Sequence, residues 1–156
     1  MAKYALTGDD VLIIDQLVGV DLPNDLANGT IAELTIPNDI VALAVGKNGN
    51  AIYAKDESGR QFELALRVIK GTETDKQLIS RFTIVNNNFA GATLLTGNLT
   101  KNLGDGYGQI IKFSVSFSGG MIRKYPENST NVNGDIEQAI SVYNIIGVID
   151  SMTVKQ

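Results

Sequence analysis

The stretch that decides the fold class is residues 60–70, Arg60-Gln61-Phe62-Glu63-Leu64-Ala65-Leu66-Arg67-Val68-Ile69-Lys70. Phe62, Leu64, Leu66 and Val68 fall on one parity, and Gln61, Glu63, Ala65 and Arg67 on the other. A period of two puts these sets on opposite sides of a strand with one buried and one wet face, as in an antiparallel sheet. Residues 109–118 repeat the pattern. Ile111, Phe113, Val115 and Phe117 oppose Lys112, Ser114, Ser116 and Ser118. At about 3.3 Å per residue the first stretch reaches roughly 36 Å, against the roughly 17–20 Å of a usual strand.

Working outward, Thr30–Ile36 and Ile40–Val45 flank the turn residues Pro37-Asn38-Asp39. Residues 45–55 straddle Asn48-Gly49, whose two residues suit the positive-φ positions of a type I′ hairpin. Asp56-Glu57-Ser58-Gly59 then turns the chain into the long 60–70 strand. Residues 140–152 are apolar on both parities and read as a central strand, continuous or bent at Gly147. Thr72-Glu73-Thr74-Asp75 supplies capping hydroxyls and acids for a helix over 73–82, with Leu78, Ile79 and Phe82 inward. Asp135–Ala139 is a weaker helical turn, and Asn86-Asn87-Asn88 and Gly104–Gly108 are loops. The expected fold is mainly β: two packed antiparallel sheets, sandwich- or barrel-like, with one short helix, in a single domain over residues 1–156.

Composition narrows the chemistry. The 156 residues contain no His, Cys or Trp. A cysteine nucleophile, a Ser-His-Asp triad, a histidine base and His/Cys zinc sites are therefore excluded. The acid clusters Asp9-Asp10-Asp15 and Asp21-Asp25 lack calcium-loop spacing. Gly104-Asp105-Gly106-Tyr107-Gly108 lacks the Lys-Ser/Thr of a phosphate loop and precedes a strand. Arg123-Lys124-Tyr125 reads as a solvated strand end. Neither a catalytic set nor a metal or cofactor is expected, and the chain does not read as an enzyme. The formal charge of −4 disfavours specific nucleic-acid binding. With mean hydropathy +0.04 and no run approaching 18 apolar residues, no membrane partner is expected. Met1–Tyr4 does not read as a targeting segment, so folding in a cytoplasm is expected. The sequons at Asn28, Asn98 and Asn128 then read as accidents of an Asn- and Thr-rich chain.

Ser114-Val115-Ser116-Phe117-Ser118 carries no Lys, Pro or acid to blunt an edge. An identical neighbour completing that edge and a loop of the same chain covering it are both compatible with the sequence, and a self-assembling reading rests on the first, with this ribbon unfinished in a lone chain and completed by sister copies.

The order of parts over about residues 9–118 resembles bacteriophage tail tube proteins. An early apolar strand precedes Val45-Gly46-Lys47-Asn48-Gly49-Asn50-Ala51 and Asp56-Glu57-Ser58-Gly59-Arg60. The alternating Phe62–Leu66 strand follows, then a helix entered through Gly71-Thr72-Glu73-Thr74-Asp75, with Leu78 and Ile79 inward. A late serine-alternating strand and a hydrophobic C-terminal strand complete it. Residues 125–135, long and polar, do not fit the family's pattern.

The resemblance implies a virion protein assembled in the host bacterial cytoplasm. Its copies would form stacked hexameric rings around a channel for DNA, their inner sheets joined into one ring barrel. About four strands from each copy would close a wall of roughly 50 Å diameter, or about 40 Å inside the side chains. Glu63, Arg67, Lys112, Ser114 and Ser116 would line that lumen, in a wall whose acidic balance lets DNA pass without binding. Asn48, Gly49, Phe113, Val115 and Phe117 would meet neighbouring copies. Implied partners are the chain itself, a tape measure, a baseplate or tail tip and, in a contractile tail, a sheath. The competing reading is a sandwich binding module, such as a capsid decoration or carbohydrate-binding domain.

Overall fold

The computed structural model describes residues 5–6, 11–17, 19, 22–27, 31–127, 130 and 132–155. Asp9-Asp10, Asp21, the Asn28 and Asn128 sequons and Met1–Tyr4 lie outside the described residues. The chain is mainly β, with two antiparallel sheets and one long helix. In chain order the elements are β1 (Ala5–Leu6), β2 (Val11–Ile14), α1 (Leu22–Asp25), β3 (Ala32–Thr35), β4 (Val41–Val45), β5 (Ala51–Lys55), β6 (Gln61–Ile69), α2 (Glu73–Asn87), β7 (Leu95–Gly104), β8 (Ile110–Ile122) and β9 (Ile140–Lys155).

Seven strands form one sheet in the order β1-β7-β8-β9-β6-β3, with β2 also on β7. β4 and β5 form a separate two-stranded ribbon. The large sheet is open and does not close into a barrel within one chain.

The parity of residues 60–70 explains why the sheet has a dry side. Phe62, Leu64, Leu66 and Val68 of β6 are buried, and so are Tyr143 and Ile145 beside them on β9. The register pairs Leu66 with Tyr143 and Leu64 with Ile145, so both strands turn the same face inward. Phe117 of β8 reaches the same core and meets the Phe62 ring at 4.9 Å. α2 covers this face. Its inward stripe is Leu78, Phe82 and Val85, at helical spacing. Ile79, expected inward, is 38% exposed because it lies off that stripe. The helix also runs five residues beyond the expected Phe82, since Val85 still finds core to pack against.

The helix start is tied to the sheet. Thr72 caps it, accepting from the Asp75 N–H at 3.3 Å, and the Asp75 carboxylate accepts from the Gly71 N–H at 2.9 Å. This is a reciprocal arrangement of the capping-box kind. The buried Tyr143 hydroxyl donates to the Asp75 carboxylate and, at 3.1 Å, to the Asp75 carbonyl. Thr74, fully buried, donates to Asp25 of α1 at 2.7 Å.

Two expectations about β8 are corrected. It is an interior strand, hydrogen-bonded to β7 on one side and β9 on the other. The missing neighbour is β7, whose Leu-Thr-Gly-Asn-Leu-Thr-Lys-Asn-Leu-Gly sequence is poor in strand formers. Consequently Val115 and Phe117, expected to meet neighbouring copies, are each 3% exposed and belong to this chain's own core. Phe113 is half-buried.

Burial and the Asp75 partner push the Tyr143 phenol above its ordinary value of 10.0. A raised phenol keeps its proton in the fold while the unfolded chain releases it, so this stabilisation is complete below about pH 10 and declines above it. Tyr143→Phe leaves Asp75 short of a donor and is expected to cost about 1–3 kcal/mol at neutral pH. In urea unfolding from pH 7 to 11.5, the variant is expected to lose stability less steeply above pH 10 than the parent chain.

Candidate functional site

The sheet face opposite α2 is where the sequence-predicted lining residues meet. Register sets Thr100 of β7, Ser114 of β8 and Thr153 of β9 in one row. Asn98, Ser116 and Ser151 form the next row, and Asn102, Lys112 and Lys155 a third. Directly opposed residues share a face, so this is a three-strand surface of hydroxyls and amides. Thr100 and Ser114 hydroxyls are 3.5 Å apart, and Thr100 donates to Asn98 at 3.2 Å. Ser118 pairs with Val148 and Val148 with Gln61, which carries the same face onto β6 and its Glu63 and Arg67. Glu63, Arg67, Lys112, Ser114 and Ser116 thus lie on one face of one sheet.

That face carries charges of both signs. Glu63 is ion-paired with Arg123 at 3.3 Å, and Lys112 lies opposite Lys155 at the far rim. Glu33 of β3, opposite Ala65, shares that face with Glu63, and other acids sit on turns and helix ends. Asp56 accepts from the Ser58 N–H at 3.0 Å, which holds its carboxyl below the usual range. Lys124 does the same to Glu127 by hydrogen bond and charge.

The second surface is the β4–β5 ribbon. Every residue of both strands is exposed, and most are apolar. Leu43 opposes Tyr53 on one face, and Ala44 opposes Ile52 on the other. Val41, Leu43, Val45, Ile52 and Tyr53 are each at least 55% exposed. Val41, Leu43, Val45 and Tyr53 share one face of the ribbon and Ile52 lies on the other; exposed apolar clusters of this kind mark contact surfaces. A two-stranded ribbon alone in water is marginal.

The tip is not the expected type I′ turn. Gly49 alone has positive φ, at 87°, and Asn48 does not. The Gly49 N–H donates to Gly46 O at 3.0 Å and the Gly46 N–H to Asn50 O at 2.7 Å. This is a longer loop ending in a left-handed glycine. The base is fixed: the Asp56 N–H donates to Ile40 O at 2.6 Å, and Asn38 reaches Ser58 O at 3.4 Å. Gly59 is essential there, since a Cβ on it would lie 2.4 Å from Ile40 Cγ1 and 2.5 Å from the Ile40 N.

The third surface is a strand edge. β6 pairs with β9 only as far as Gln61 opposite Val148. Arg60 caps the next carbonyl, donating to Ile149 O at 2.9 Å and 3.2 Å. Beyond it, among the described residues, 151–155 are paired with β8 alone. Met152 and Val154 on this stretch are 44% and 61% exposed. The open edge expected of β8 therefore lies on the last turn-free segment of β9. Tyr125–Glu127, which did not fit the family's pattern, runs beside β9 at its other end. Glu127 and Val142 exchange backbone bonds at 3.1 Å and 3.2 Å, and Tyr125 stacks edge-on against Phe82 at 4.6 Å.

Among the described residues, no helix is long and apolar enough to cross a membrane, and no three acids gather as metal ligands. No protein-family model and no curated protein matches the chain.

Gly59→Ala is expected to shift Ile40 and loosen the ribbon base at a cost of about 1–3 kcal/mol. Limited proteolysis is expected to cut the variant within residues 41–55 several-fold faster, with cleavage of α2 and β9 unchanged.

Proposed function

We propose that this chain is a structural, self-assembling subunit of a bacteriophage tail tube, built as stacked hexameric rings that enclose the channel for DNA delivery. The observation that carries the reading is the β4–β5 ribbon, exposed and apolar on both faces. An isolated subunit that displays such a ribbon invites association, and a subunit made to polymerise uses it.

Two further features support it. The β9 edge at 151–155 offers unpaired backbone groups beside Met152 and Val154, where a neighbouring copy can extend the sheet. Joining sheets this way gives a wall continuous from copy to copy. The hydroxyl and amide rows of β7, β8 and β9 would then face the lumen, together with Glu63 and Arg67. A wall mostly of small neutral groups offers DNA few phosphate anchors, with Arg67, Lys112 and Lys155 as its cations. In this reading Asn48 and Gly49 act at the ribbon tip, and Phe113 borders the lateral contact. A tape measure, a baseplate or tail tip and, in a contractile tail, a sheath would be the other partners, and the virion the location. No enzyme chemistry is part of the proposal.

The binding-module alternative draws less support. The exposed aromatics Tyr53, Phe89, Tyr107 and Tyr125 sit on separate elements and form no common platform.

Electron microscopy of the purified, concentrated chain is expected to show rings or hollow tubes. Val154→Lys places a charge on the β9 edge. It is expected to abolish rings while changing stability by no more than about 0.5 kcal/mol. Single particles of the parent chain at every concentration and salt would refute the proposal.

A further inference from the structure

Asn-Gly occurs at 28–29, 48–49 and 133–134, and every other asparagine precedes a residue that carries a Cβ. The pair has a chemistry of its own. The backbone nitrogen that follows an asparagine can attack that residue's side-chain carboxamide, and a glycine there puts no side chain in the way. Asn28 lies outside the described residues, so the structure compares 48–49 with 133–134.

Asn48 stands at the tip of the β4–β5 ribbon, within residues 35–58, all of them exposed. Its Oδ1 accepts from the Asn50 N–H at 3.4 Å, so the carboxamide is turned toward the backbone that follows it. Around Gly49 there is open space, since a Cβ built on it would meet nothing within 4 Å. The Gly49 nitrogen is held only by its bond to Gly46 O at 3.0 Å, in a loop closed by Gly46 N–H to Asn50 O at 2.7 Å. A two-stranded ribbon with no packed face opens readily, and opening frees that nitrogen. Asn133 is tied down instead. Its carbonyl accepts from the Asp135 N–H at 2.8 Å and from the Gln138 side chain, and the Gln138 carbonyl accepts from Lys70 Nζ at 2.8 Å. The peptide link to Gly134 is thereby anchored to the end of β6.

We propose that Asn48 is a self-modification site, converted in the lone chain to aspartate and isoaspartate with water as the only co-reactant. The Gly49 nitrogen loses its proton to solvent and forms a bond to Asn48 Cγ. The carboxamide C–N bond breaks, and its nitrogen takes up protons and leaves as ammonia. The product is a five-membered cyclic imide. Water then adds to one of the two ring carbonyls and breaks that carbon's bond to nitrogen. Opening at Cγ restores the ordinary peptide link and leaves aspartate. Opening at the backbone carbonyl routes the chain through Cγ and leaves isoaspartate.

Either product sets a carboxylate beside Lys47, in a ribbon that carries Lys47 and Lys55 and no acid between residues 41 and 55. Isoaspartate also adds one atom to the main chain inside the loop closed by Gly46 and Asn50, which loosens it. None of this requires a second copy, so the site is independent of the self-assembly reading.

The test keeps the dilute, intact chain in warm, mildly alkaline buffer beside the same chain in urea. Each asparagine is followed by tandem mass spectrometry, and isoaspartate by labelling with an isoaspartate-specific methyltransferase. In the folded chain Asn48 is expected to convert within several-fold of its rate in urea, and Asn133 roughly ten-fold or more slowly than its own rate there. Both products are expected at position 48, with isoaspartate in excess. Asn48→Gln, whose side chain would need a larger ring, is expected to abolish labelling at that position with thermal unfolding unchanged. An Asn48 that stays intact in the folded chain, conversion of Asn133 as fast as that of Asn48, or aspartate as the sole product overturns the site. Each of these outcomes leaves the self-assembly reading standing.

Discussion

The Tyr143 hydroxyl held by Asp75 joins the two layers on which everything else depends. Tyr143 lies on β9, the strand that links β8 to β6. Asp75 lies in the first turn of α2 and holds the Gly71 N–H with its other oxygen. One carboxylate thus fixes the helix start, the chain entering it and the central strand. A buried polar group left without its partner is costly, so the bond selects one placement of the helix over the sheet. With the helix there, one face of the sheet is dry and the other must meet water or another molecule.

That division organises the surfaces. The dry face takes Phe62, Leu64, Leu66 and Val68, with Phe117 and Ile145, and encloses them within one chain. The wet face is rich in hydroxyls and amides over β7, β8 and β9. The ribbon and the β9 edge stand outside the core altogether. Apolar side chains that one chain leaves in water are the natural source of contacts between chains. The self-assembling tube subunit is the reading that uses all of these features together.

Much of this was legible in residues 60–70 and 109–118. Alternation at period two identified the strands and correctly assigned Glu63, Arg67, Lys112, Ser114 and Ser116 to one parity each. It did so because side chains on a strand alternate regardless of what flanks it. The helix start was legible too, since capping is decided within four residues. The helix end was not. Asn86 and Asn87 read as loop, yet Val85 packs on a core built from distant strands, and packing outweighs propensity.

The neighbours of each strand were not legible at all. Leu95–Gly104 has weak strand character and acquires its conformation from pairing with β8 and β2. Without that neighbour, the serine-rich strand reads as open and Val115 and Phe117 as available to another copy. The ribbon's exposure was equally hidden, because Val41–Val45 and Ala51–Lys55 have the composition of buried strands. By itself the sequence determined the elements, their two-sided character and the absence of histidine and cysteine chemistry, because those are local or compositional properties. Only the tertiary structure decided which edges pair and which apolar residues remain in water, because each depends on contacts between residues far apart in the chain.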